Sequence, residues 1–518
     1  MRRSASRGLV ILVAALTTPW CAMSQAAEDV KPSGRKPIAG ILYNEDDSHR
    51  FVLDPTGKMT PATLDGLVDE LAGAHVTTML ICCCAKKTNF PSTSWEPHCD
   101  GFDPTKGNDQ PYFGDTTPEA RKGLRKWAEN LRKMLDAGVD PTGRMLARCR
   151  QRGISPWVSI RMNDSHDAPL TRSPLHSRFY REHPEYLTYR KRMSSWHDRC
   201  LNFNLQPVRD HAMALIKEVC DRFDMDGLEL DWNRFCGHFR DDEMAEGGKA
   251  LTEWMADVRK VVREAEKKWK HPITLAARVP ARPDVSVHRG LDAITWAKRG
   301  LIDHLIVAPF FTTTDFDIPI ERWIELLKGT GVGVTAGLEI RIQPHPGAPV
   351  VPNTPERRRG AAMAHLARGS QGIYVFNYFD VGKKYPFLLN EMNSVEAMKG
   401  KDRSYVVTYV DVNIPGKPIP PALPKKLAPG GQSEFRLYIG PKPIAGARGE
   451  IQLTLTGDGS QCTVLVNDQP TQAASKPGLY TFPRDAFCEG YNTVRVKNAG
   501  TGAVTVGGVE LSVRFPSK

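Results

Sequence analysis

The sequence predicts an α/β fold, a closed (β/α)8 barrel, followed by a small C-terminal β-sandwich. Three observations predict it. Eight short apolar runs recur between Lys36 and Met398. A polar loop and a segment of helical period follow most of them. Beyond Arg403 the helical period gives way to short alternating runs between turn signals such as Gly457-Asp458-Gly459 and Asn498-Ala499-Gly500.

The chain opens on a leader. Arg2, Arg3 and Arg7 form a positive region, Gly8 to Thr17 is apolar but too short to span a bilayer, and Ser24-Gln25-Ala26 is a small-x-small cleavage site. Residues 1–26 are read as a signal peptide cleaved after Ala26, so the expected location is periplasmic or extracellular. Thr18, Pro19 and Trp20 make a poor lipobox before Cys21.

The apolar runs are Pro37–Tyr43, Thr77–Cys84, Ser155–Arg161, Gly227–Trp232, Ile273–Val279, His304–Phe311, Gly333–Ile340 and Gly372–Phe376. Helical faces lie between them. Leu64, Leu67, Val68 and Leu71 mark the first, and Leu124, Trp127, Leu131 and Leu135 the second, with an extra turn over Met145–Arg152. Pro207 opens a third, which presents Ala212, Leu215, Ile216, Val219 and Phe223. Leu251, Trp254, Met255, Val258 and Val262 mark the fourth. Ile294 and Trp296 belong to a short fifth, and Ile320, Trp323, Ile324 and Leu327 to a sixth. The seventh runs from Thr354-Pro355 to Gly369, and a weak eighth lies near Tyr385–Met398. Near-continuous apolar strands imply a parallel sheet covered on both faces, and eight units imply closure. The alternative is an open doubly wound sheet, but no glycine-rich phosphate loop follows the first strand. The expected domains are therefore a barrel over 27–402 and a sandwich over 403–518, with strands at Tyr405–Val412, Glu434–Ile439, Glu450–Thr456, Cys462–Val466, Tyr491–Lys497 and Gly507–Phe515.

Composition narrows the function classes. The formal charge is +11, part of it from the leader arginines. This mild excess is compatible with an anionic polysaccharide, but scattered solvated charge is the first reading. No charge block or aromatic-basic stripe suggests nucleic acid, and no later apolar run suggests a membrane span. No CxxC or HxxxH spacing suggests zinc, and no cofactor or metal is expected. Of the 11 cysteines, Cys462 and Cys488 are the pair most readily bridged.

Barrel enzymes work where loops converge at the C-terminal ends of the strands. Strand four reads Asp226-Gly227-Leu228-Glu229-Leu230-Asp231-Trp232-Asn233. Alternation turns Leu228, Leu230 and Trp232 to the helices and Glu229, Asp231 and Asn233 to the interior and mouth. Two interior carboxylates must be paired, protonated or used. Pairing with Arg161 or Arg278 in a core ion network is the structural alternative. Glu339 ends strand seven, and a salt bridge to Arg341 or to a neighbouring strand is its alternative. Carboxylates after strands four and seven can flank one sugar, with one protonating the leaving oxygen and the other attacking or activating water. Glu229, Asp231 and Glu339 are the catalytic candidates, with Glu229 or Asp231 expected as the general acid and Glu339 as the nucleophile or base. The candidate substrate-binding residues are Arg161, Asn163, Asp164 and His166 after strand three, Asn233, Arg278, Phe310, and Asn377 and Tyr378 after strand eight. Asn44, Glu45, Asp46, Phe311 and Asp380 also stand at strand ends, and Trp232 is a further stacking candidate.

The strand-four motif resembles that of family-18 chitinases, DGxDxDxE, with Glu229 at the first inner acid and Asn233 at the catalytic glutamate. Substrate-assisted chemistry is therefore not carried over. The barrel as a whole is similar to the family-10-like glycosyl hydrolases, a group of secreted bacterial barrels. The residues that carry this are Trp157–Asp164, Phe179-Tyr180-Arg181-Glu182-His183-Pro184-Glu185, Pro207-Val208-Arg209-Asp210 and Arg222–Gly227. The resemblance implies a carbohydrate-active role. The leading expectation is hydrolysis of a polysaccharide or oligosaccharide by carboxylate acid/base chemistry. A non-catalytic carbohydrate-binding barrel, motivated by Asn233, is the second reading. A metal-dependent hydrolase built on Asp164 and His166 is the third, although the HxH expected after strand one is missing.

Overall fold

The computed structural model describes residues 38–52, 59–189, 196–379 and 386–516. The leader, Asp380 and Tyr385 lie outside them. Residues Arg35–Lys518 form one compact unit.

Eight parallel strands close a barrel: β1 (Gly40–Glu45), β2 (Thr78–Cys84), β3 (Ser155–Arg161), β4 (Gly227–Asp231), β5 (Thr274–Pro280), β6 (His304–Ala308), β7 (Gly333–Leu338) and β8 (Gly372–Phe376). Each pairs with its neighbours in sequence, and β8 pairs with β1. Leu228, Leu230 and Trp232 enter the apolar layer between strands and helices. The lumen is filled by Leu42, Leu80, Trp157, Ala276, Ile306, Tyr374 and Phe376. Gly227 is required here, because a Cβ at that position would stand 2.3 Å from the Trp157 ring. Above this plug the lumen turns polar.

The helices follow the expected faces, with Pro118–Asp136, Gln206–Arg222, Met244–Trp269 and Pro355–Ala367 the longest. The extra turn after the second is a full helix, Pro141–Gln151, capped by Asp140 on the Gly143 amide. Among the described residues no helix is long and apolar enough to cross a membrane.

The C-terminal part forms two antiparallel sheets. Arg403–Val406, Val504–Arg514, Arg448–Thr456 and Leu479–Pro483 build one, and Gln432–Tyr438, Tyr491–Asn498 and Cys462–Val466 the other. Phe435, Val464 and Val494 from one sheet share a buried layer with Ile451, Val509 and Leu511 from the other. Arg357 on the barrel pairs with Glu510 at 2.7 Å, and the Tyr491 hydroxyl donates to Asp317 at 2.9 Å.

Two expectations are corrected. The strand read over Tyr405–Val412 ends at Val406. The chain then peels away as a strap across the barrel end. Thr408 donates to the Thr314 carbonyl, Tyr409 to Gln343, and Asp411 accepts from loop amides after β6. The barrel contacts outbid the pairing that alternation suggested. Cys462 and Cys488 are free thiols, one buried and one exposed.

Candidate active site

The site is built from strand ends whose inward positions stand in register. Arg161 on β3 is the partner of Asp231 on β4, which is the partner of Arg278 on β5. Ser159 lies beside Glu229 one step deeper. All of these side chains are buried.

Asp231 is an orienting carboxylate. Its Oδ1 accepts from the amides of Asn233 (3.0 Å) and Arg234 (2.9 Å), and Arg278 donates to both oxygens at 3.2 and 3.1 Å. This is the core ion pair weighed as the structural alternative, realised for Asp231 but not for Glu229. Glu229 Oε2 accepts from Asn44 Nδ2 at 3.2 Å, the Ser159 hydroxyl lies alongside, and Oε1 has no partner. The Tyr374 hydroxyl lies beside it. Burial, then the Asp231 charge, pushes the Glu229 carboxyl up to about 7.

Glu339 stands just beyond β7. Neither of its oxygens has a hydrogen-bond partner, and Oε1 lies 3.6 Å from Arg278. The salt bridge to Arg341 weighed for it does not form. Burial pushes its carboxyl up to about 8, against the opposing pull of Arg278 and Arg234; Asp411 and Asp231 add to the rise. Arg278 thus serves Asp231 and Glu339 with one guanidinium, and its face lies 4.2 Å from the Phe376 ring centre.

The other half of the mouth is a closed ion network. Arg161 pairs with Asp46, with Asp47 at 3.1 Å and with Asp164 at 3.6 Å. Burial raises Asp47, as does the neighbouring Asp46 charge, so Asp47 holds a proton up to about 8. Asp164 accepts from His166 Nδ1 at 2.9 Å and pairs with Lys86 at 3.6 Å. His166 Nε2 accepts from Arg234 at 3.1 Å. The ring thus bridges the Asp164 carboxylate and the Arg234 guanidinium.

Several candidates do not face the lumen. Asn163 exchanges hydrogen bonds with the Leu201 backbone at 2.8 and 3.0 Å, so it pins the loop after β3. Trp232 packs edge-on to Phe203, His238 and Trp254 behind the strand. Tyr378 joins the core beside Arg358, which leaves no free ring face for a sugar. Asn377 holds a left-handed turn (φ 58°) at the end of β8 and is 7% exposed. Asn233 donates to the Ala308 and Pro309 carbonyls, both at 2.9 Å, and stitches β4 to β6. Phe310 is buried against Phe235.

Two functional-site residues were missed. Arg234 lies over the rings of Phe235, Phe311 and Phe376. Asp411 accepts from the amides of Phe310, Phe311 and Thr312 at 3.1 Å each. The one sequence signal for Arg234 is a cation inside the apolar stretch Trp232–Cys236; Asp411 gave none. Among the described residues no group of three or more His, Cys, Asp or Glu could hold a metal ion.

No family model matches the chain, and no curated protein matches it. Solved structures do. One is an α-L-fucosidase isoenzyme 2 from Paenibacillus thiaminolyticus, at 15% identity and TM-score 0.41, covering 69% of this chain and 49% of that one. The chain thus spans about half the length of that fucosidase. Another is an endo-β-1,4-mannanase from Thermotoga petrophila, at 11% and 0.45, covering 92% and 98%. A third is the PgaB glycoside hydrolase domain from Bordetella bronchiseptica, at 12% and 0.42, covering 69% and 99%. These neighbours are glycoside hydrolases. The likeness is one of fold, and the chemistry is read from the site itself.

Proposed function

We propose that the chain is an exported glycoside hydrolase in which Glu339 is the general acid and Asp231 the facing carboxylate. The observation that carries this is the Glu339 carboxyl: buried, with both oxygens unpartnered, across Arg278 from Asp231. A buried carboxyl without partners costs stability, and such groups persist where chemistry uses them. Below about pH 8 Glu339 carries its proton and can give it to a glycosidic oxygen. Asp231, aimed by two amides and Arg278, is the negative charge available to the sugar ring as positive charge develops. Glu229 lies deeper on the same strand and tunes Asp231 rather than touching substrate. These roles reverse the order first expected, in which a β4 acid gave the proton. The leader, the family-10-like resemblance and the polar mouth agree with a secreted role on a polysaccharide or oligosaccharide.

A non-catalytic carbohydrate-binding barrel is the second reading. It is favoured by the burial of Glu229, Asp231 and Glu339 at 0–1% exposure. Two sizeable cavities, of about 980 and 550 Å³, also lie off the mouth. Reducing-sugar release on a panel of polysaccharides separates the two. Release by the native chain that is lost in Glu339→Gln supports the hydrolase, and glycan binding without release supports the second reading.

A further inference from the structure

Arg234 is 6% exposed, and no residue described pairs with it through a carboxylate. Its one side-chain hydrogen bond goes to the His166 ring, and its Nε has no partner. Asp164, Asp46 and Glu339 act on it only from a distance. Arg341, half-buried at the rim, is likewise without a carboxylate partner among the described residues. Both guanidinium groups lie over one ring, Phe311, at 5.0 and 4.6 Å from its centre. Phe311 is itself half-buried, so this cluster forms part of the open rim above the acids.

A guanidinium buried among aromatic faces has lost its water and retains most of its donors. Cation–π contact recovers part of that cost. An anion would recover more, through paired charge-assisted hydrogen bonds. The nearest acid on the strap cannot serve, because Asp411 spends its oxygens on the amides of Phe310, Phe311 and Thr312. Glu339 holds its proton to about pH 8, so it does not compete for Arg234 in neutral solution.

We propose that Arg234 and Arg341, flanking Phe311, form a subsite for the carboxylate or sulfate of an acidic sugar, so that the glycan taken by this mouth is anionic. This rests on the hydrolase reading for its direction, since the subsite borders the Glu339 carboxyl. The ring of Phe311 holds the two guanidinium groups over it, and their remaining donors fix the charged substituent of the sugar.

The test is calorimetric binding to the full chain carrying Glu339→Gln. The probes are uronate-containing and sulfated oligosaccharides, each paired with its methyl-esterified or desulfated counterpart. At least one acidic probe is expected to bind about tenfold or more tightly than its neutral counterpart. Arg341→Gln should weaken that binding about tenfold, while Arg322→Gln, which removes one exposed charge elsewhere, should leave it unchanged. Arg234→Gln, with its fold checked by thermal melting, should do the same or more. Preference for the uronates assigns a carboxylate, and preference for the sulfated probes assigns a sulfate. Equal binding of charged and neutral probes, an equal loss in Arg322→Gln, or no binding of any acidic probe would overturn the subsite. Reducing-sugar release by the native chain is read separately. Arginine-dependent binding of an acidic probe with no release from any glycan keeps the subsite and removes the hydrolase. Release from a neutral glycan, untouched by Arg341→Gln, keeps the hydrolase and removes the subsite.

Discussion

The two halves of the barrel mouth carry similar residues and different bookkeeping of hydrogen bonds. On the β1–β3 side, Asp46, Asp47 and Asp164 all pair with Arg161, and Asp164 also with His166 and Lys86, although Arg161 Nε, Asn44 Oδ1 and Glu45 Oε2 have no hydrogen-bond partner. On the β4–β8 side, Glu229 Oε1, Asn233 Oδ1, both Glu339 oxygens, Arg234 Nε and the Tyr374 hydroxyl have no partner. Both halves are buried, so the difference is not one of exposure. Acids shared around one arginine hold shape, whereas a buried acid with neither oxygen hydrogen-bonded is held at a cost that a substrate can relieve.

The largest expected effect falls on the half that holds Glu339. Glu339→Gln should lower glycan hydrolysis by about 10²–10⁴-fold with little change in fold, read from initial rates and circular dichroism. A variant that retains full rate would break the comparison at its active end. Arg161→Met should do the reverse. It leaves Asp46, Asp47 and Asp164 buried without their cation and should cost roughly 3–5 kcal/mol in urea unfolding. A loss under about 1 kcal/mol would show that the β1–β3 network is not structural.

The two halves should also part in their pH response. The folded-state carboxyl of Glu339 is raised from 4.5 to about 8, so its stability contribution is full below pH 4.5 and is lost as pH rises through 8. Glu339→Gln should therefore gain stability at pH 9, by up to about 5 kcal/mol, and almost none at pH 4. A gain that is equal at both pH values would contradict the buried acid. The smallest effect is expected from Asp411→Asn. It removes a neighbouring charge that raises Glu339, so the alkaline fall in activity should move to lower pH by a few tenths of a unit. A shift upward would show that Asp411 acts only by shaping the strap.

The barrel was legible because each strand is apolar on both faces, as between a filled lumen and a ring of helices it must be. The acids at strand ends were legible through alternation alone, since Glu229 and Asp231 share the parity of Trp157 and Arg278 in their own strands. Polar residues beyond strand ends were not. Asn163 reads as a site residue because a loop anchor and a ligand contact have the same composition, and only the Leu201 backbone distinguishes them, while Tyr378 is drawn into the core beside Arg358. Asp411 stayed hidden because Tyr405–Val412 alternates like a strand, while its outcome depends on a barrel loop 100 residues earlier in the chain. Arg234 follows no period; its place is set by where Asp231 caps the turn.

The central claim is that Glu339 is a protonated acid in neutral solution. Infrared difference spectroscopy of the native chain against Glu339→Gln follows its carboxyl stretch directly across pH. A protonated band that persists through pH 7 and fades near 8 is the predicted result. A band that fades near 4.5 would contradict the account and leave the mouth without its proposed acid.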